Sequence, residues 1–93
     1  MELLHSFPGV SEAGYTKLDV YARALVLTES SGRESSVTIV PKGHVVRVTT
    51  YTQTSAPAAQ NVVAIQDSRD YNYPFLAVDK FAVFNALLGW LNG

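Results

Sequence analysis

The sequence predicts an α+β fold: an antiparallel sheet of about four strands, arranged as a β-meander, with one C-terminal helix packed on a face. Three observations predict it. Tyr15 to Thr28 alternates apolar and polar residues with period two, the pattern of a half-buried strand. Val45 to Thr54 is rich in valine and threonine, which suit a pleated surface. From Phe81 onward, large apolar residues recur at helical spacing and fill about half the circumference. Strands first and a helix last is the order of an α+β domain, and the short connections favour hairpins over crossovers. With 93 residues, 47% of them apolar and 16% charged, the chain reads as a single domain, 1–93. Disordered segments show the opposite balance.

Leu3 to Phe7 is a short apolar run stopped by Pro8-Gly9, so residues 1–10 form an N-terminal arm or an edge strand. In the Tyr15–Thr28 strand, Leu18, Val20, Ala22, Ala24 and Val26 share one face, and Lys17, Asp19, Tyr21 and Arg23 the other. Leu25 and Leu27 break the alternation, which implies that the far end is covered on both sides. The run is long for one strand, so a bend or bulge is expected near Ala22 or Ala24. Glu29 to Ser36 is a polar loop with a central glycine, a hairpin tip. Val37–Val40 returns as a short strand, and Pro41-Lys42-Gly43-His44 is a tight turn. Val45 to Thr54 is the third strand, Ser55 to Gln60 a small-residue linker, and Asn61 to Gln66 a fourth strand. Asp67 to Pro74 reads as a polar and aromatic loop. Asp79 is placed to cap the helix, and Gly93 lies where a C-terminal glycine is expected.

Much chemistry has no support. There is no cysteine, which excludes disulfides, thiolate metal sites and cysteine nucleophiles. His5 and His44 have no second ligand at metal spacing, so no metal is expected. A triad of His44, Asp67 and a serine lacks any Gly-x-Ser-x-Gly elbow. Asp67 and Asp70, three apart in a loop, read as solvated charges flanking Arg69 rather than as a hydrolase pair. Ser31-Gly32-Arg33 reads as a hairpin tip rather than an anion cradle. No cofactor and no enzymatic activity are expected. The basic residues are scattered and the pI is about 6, so nucleic acid is not an expected partner. There is no signal-peptide pattern and no apolar run of membrane length, so a cytoplasmic location is expected.

Two surfaces carry the functional expectation. The loop with Arg69, Tyr71 and Tyr73 holds residue types enriched at interface hot spots. The alternative is that one tyrosine folds back onto the sheet. The helix carries no charge from Phe81 to Gly93, and Ala82, Ala86, Gly89 and Asn85 lie opposite its large side chains. Lysine or glutamate is usual on such a face, so a second subunit or a partner is expected to cover Ala82, Ala86 and Gly89, with Trp90 beside them. Val45 to Gln53 has one charge in nine residues and is either a central strand or an assembly edge. A net charge of −1 gives little electrostatic protection against association. The expected function is a non-enzymatic, self-associating interaction module, a homo-oligomeric building block such as a virion or sheath component. The alternatives are a compact inhibitor or adaptor that blocks a host protein, and a small-molecule binder with a pocket lined by Tyr21, Tyr51 and Phe84.

Overall fold

The computed structural model describes residues 2–10, 14–31, 33–54 and 59–93. Seven strands precede one helix: β1 (Leu3–Pro8), β2 (Tyr15–Tyr21), β3 (Ala24–Ser31), β4 (Glu34–Pro41), β5 (Val45–Gln53), β6 (Gln60–Asp67), β7 (Asn72–Leu76) and α1 (Lys80–Asn92). A single 3-10 turn, Lys42–His44, joins β4 to β5. The class is α+β. β1 to β4 form a four-stranded antiparallel meander, and β5 to β7 form a second, three-stranded sheet. Of the linker expected over Ser55–Gln60, residues 55–58 lie outside the described residues, as does Gly32 of the Ser31-Gly32-Arg33 tip, and Gln60 opens β6.

The long strand expected over Tyr15–Thr28 is instead a hairpin, with Tyr21 paired to Ala24 and only Ala22 and Arg23 in the turn. That pairing joins even to odd positions. Leu18 faces Leu27 and Val20 faces Leu25, and all four are fully buried. The broken alternation therefore marks a reversal of direction, not cover on both faces. Neither turn residue has a positive φ. The turn is thus not one of the glycine- or asparagine-dependent hairpin types, and two-residue turns outside those types splay their strands. Tertiary hydrogen bonds hold it. Trp90 Nε1 donates to the carbonyls of Tyr21 (2.7 Å) and Ala22 (3.2 Å), and the Lys42 amide donates to the Arg23 carbonyl (2.8 Å).

The polar loop expected at Glu29–Ser36 shrinks in the same way. The β3–β4 ladder runs unbroken to Ser31 opposite Glu34. The loop expected over Asp67–Pro74 also gives up its second half, since Asn72–Leu76 pairs with β6 as β7. Pro74 is tolerated there because β7 is an edge strand, where a missing N–H costs no ladder bond.

One core joins both sheets and the helix. It gathers Leu18, Leu25, Val40, Ile65, Phe75 and Leu87 with their neighbours. The helix lies against β5 and β6 of the second sheet rather than on the face of the four-stranded meander. It reaches the meander at its C-terminal end, through Trp90. Asp79 caps it, accepting from the Ala82 amide at 3.2 Å. Val83, Leu87 and Trp90 are buried, and Phe84, Leu88 and Leu91 are half-buried. Phe81, expected in the same arc, is instead 60% exposed, with the Lys80 ammonium 5.3 Å from its ring centroid.

The sheets meet at a seam. Gly9 bridges Ala77, and the Val10 amide donates to the Leu76 carbonyl at 3.0 Å. On its other side Gly9 lies close against β2, and this needs glycine: a Cβ there would lie 2.3 Å from the Tyr15 carbonyl oxygen.

Candidate interaction surfaces

Beyond the seam, β1 and α1 diverge and leave an open groove of about 530 Å³. Leu4 and His5 line one side, Ala86, Gly89 and Trp90 the other, and Ala22 and Lys42 the end. The Lys42 ammonium sits 5.5 Å from the Trp90 ring centroid and donates to the Gly93 carbonyl at 3.2 Å. Ala82, Asn85 and Gly89 are exposed and Ala86 is half-buried. A Cβ added at Gly89 would meet nothing within 4 Å. Leu3 and Leu4 on β1 are also exposed. The small face of the helix thus borders a mainly apolar concavity that the described residues do not fill.

The β6–β7 loop has a different character. Asp67, expected to be solvated, is buried, because the loop folds its donors around the carboxylate. Oδ1 accepts from the amides of Arg69 (2.9 Å) and Tyr71 (3.2 Å). Oδ2 accepts from Arg69 Nη2 (3.0 Å), Arg69 Nε (3.4 Å) and the Tyr73 hydroxyl (3.0 Å). Burial alone would raise the carboxyl, but the donors from Arg69, Tyr73 and Tyr71 outweigh it and hold its pKa at about 2. Burial, reinforced by the neighbouring carboxylate, pushes the Tyr73 hydroxyl up. Asp70 takes a left-handed conformation, φ 65°, where its amide closes the turn on the Asp67 carbonyl at 3.1 Å.

This arrangement separates the three loop residues singled out from sequence. Tyr73 is half-buried against the core and bonded to Asp67. The Arg69 guanidinium is committed to the same carboxylate and lies 5.1 Å from the Tyr71 ring centroid. Tyr71, 60% exposed, is the one left free to meet another surface. Trp90 is a buried anchor whose ring edge lines the groove.

The register brings Val45 opposite Asp67, and the Ser68 amide donates to the His44 carbonyl at 2.8 Å. His44 thus shares a sheet end with Asp67, whose two oxygens already accept five hydrogen bonds. His5 is exposed on β1 and stacks on Phe7 at 5.7 Å. Among the described residues, no group of three or more His, Asp or Glu side chains is placed to hold a metal. Among the described residues, no helix is long and apolar enough to cross a membrane. Tyr21, Tyr51 and Phe84, expected around a ligand pocket, line neither of the two larger concavities.

The sequence reading missed one surface. On β4, Val37 and Ile39 are 57% and 64% exposed on the outer face of the meander. The signal is their spacing, two apart beside a buried Val40, in a strand that runs over Glu34–Pro41 rather than the expected Val37–Val40. β5 is an edge strand of the second sheet, not a central one. Comparison with protein-family models, curated proteins and solved structures finds no match.

Proposed function

We propose that this chain is a non-enzymatic interaction module that associates with itself, a building block of a larger assembly. One observation carries the reading: the outward side of α1 is uncharged from Phe81 to Gly93 and opens, through Ala86 and Gly89, onto a mainly apolar groove that the described residues leave unfilled. Small residues let another backbone approach closely, and a helix without charges is ordinarily covered on all sides. Exposed Leu3 and Leu4 extend the same apolar surface along β1. The low net charge places no repulsive barrier between copies.

Substitution at Gly89 tests this. In an isolated helix Gly89→Ala stabilises by about 0.5–1 kcal/mol, and nothing within the chain opposes the added methyl. Light scattering is expected to find multimers of the wild type. Gly89→Ala should raise the thermal midpoint yet weaken association through this face, and Gly89→Glu should abolish association through it and lower the multimer size. A wild type that stays monomeric at every concentration refutes self-association and favours an inhibitor or adaptor.

A further inference from the structure

We infer that β4 is the edge to which a second copy of this chain adds its own β4, antiparallel, about a two-fold axis at Thr38. The inference deepens the self-association proposed above and rests on it.

β4 pairs with β3 on one side and with no described strand on the other. Its free backbone groups follow from alternation. The Lys42 amide bonds to Arg23, so Val40, Thr38, Ser36 and Glu34 turn their backbone groups toward β3. Ser35, Val37 and Ile39 then point theirs at solvent. The side chains of Val37 and Ile39 are exposed as well.

Natural edges are blunted by lysine, proline, bulges or cover. The other three edges have such devices. β5 has a register shift between Val45 and Arg47, a charge at Arg47, and the Lys80 side chain reaching Thr52. β7 carries Pro74, and β1 ends in Pro8; both run into the seam. β4 has such devices only at its ends, Glu34 and Pro41, and its register with β3 is regular throughout.

A two-fold interface requires the strand to complement itself. With the axis at Thr38, Val37 meets the partner's Ile39, and Ile39 the partner's Val37. Both are hydrogen-bonded pairs, and both sets of side chains lie on the outer face. Ser35 meets Pro41, so the missing N–H falls at the end of the ladder. Glu34 falls beside the partner's Lys42 in the adjoining turn, whose ammonium already donates to Gly93, so the Val37–Ile39 pairs select the register. Moving the axis to Val37 leaves Ile39 opposite the partner's Ser35 and loses those pairs. The preferred ladder has about six backbone hydrogen bonds. A contact one strand wide buries less than the roughly 1,600 Å² of a standard interface, so the dimer forms in a concentration-dependent way.

The native chain has no cysteine, which makes the register directly testable. Across a non-hydrogen-bonded antiparallel pair, Cα atoms lie about 4.5 Å apart, within disulfide reach. Thr38→Cys should therefore give a disulfide-linked dimer on oxidation, whereas Ser36→Cys, far from its own copy, should not. In sedimentation velocity the wild type should dimerise with concentration, and Val37→Lys should weaken dimerisation at least tenfold with an unchanged circular dichroism spectrum. A multimer that survives Val37→Lys, together with no Thr38→Cys cross-link, overturns the β4 assignment but spares association through α1. A wild-type monomer at every concentration overturns both.

Discussion

Replacing Trp90 with phenylalanine tests how a turn lacking turn residues is held. The indole N–H is the donor for two carbonyls at the β2–β3 turn. The phenyl ring leaves both unbonded. Tyr21 is half-buried, so its carbonyl is poorly placed to regain water, whereas Ala22 is exposed and resolvates. The net loss from the hydrogen bonds is about 1 kcal/mol. The smaller ring also gives up on the order of 50 Å² of buried apolar surface, about another 1 kcal/mol. Together these remove about 2 kcal/mol from a domain whose whole stability is about 5–15 kcal/mol. Urea slopes for small domains start near 1 kcal/mol per molar, so the midpoint should fall by about 1–2 M. Trp90 is the sole tryptophan, so its replacement removes the usual fluorophore. Far-UV circular dichroism is therefore the readout. A midpoint within about 0.3 M of wild type would refute the claim that the indole secures this turn.

Two further outcomes follow from the seam and the buried carboxylate. Gly9→Ala drives a methyl against the Tyr15 carbonyl, and it should cost about 1–3 kcal/mol and lower the thermal midpoint by several degrees; an unchanged melt would show that β2 yields freely to the methyl. Asp67 has a folded pKa of about 2, below its ordinary 3.8. Its stabilisation is therefore complete above the ordinary value and lost as pH falls through the folded one. Asp67→Asn should destabilise at neutral pH, with the gap to wild type closing between about pH 4 and pH 2; a gap constant over that window would mean that the carboxylate charge is irrelevant.

The general plan was legible where local pattern and tertiary structure agree. The helix from Lys80, its Asp79 cap and the Val/Thr run of β5 follow from periodicity and composition. What was lost lies where distant groups replace local signals. Tyr21-Ala22-Arg23-Ala24 contains no glycine, proline or asparagine, and its reversal depends on an indole from the far end of the chain. The clue was the switch from even to odd apolar positions at Leu25 and Leu27. A hairpin explains it as well as two-sided burial does, and nothing local decides between them. Asp67 looked solvated because its donors, though near in sequence, converge only once β7 pairs and carries the Tyr73 hydroxyl back over the loop. The edge at Val37 and Ile39 was hidden because serines on either side of Gly32 read as loop. The β3–β4 ladder overrides that preference.

The seam also shapes how the molecule comes together. β1 to β4 grow by pairing of immediate neighbours, and so do β5 to β7. The Gly9–Ala77 bridge instead ties the beginning of the chain to its end. Closing so long a loop has an entropic penalty that only later contacts repay. Two locally zipped ribbons are thus expected to form early. The bridge and the docking of the helix then complete the native state in the last, slowest step of folding, and the same join is the first to open when the protein unfolds.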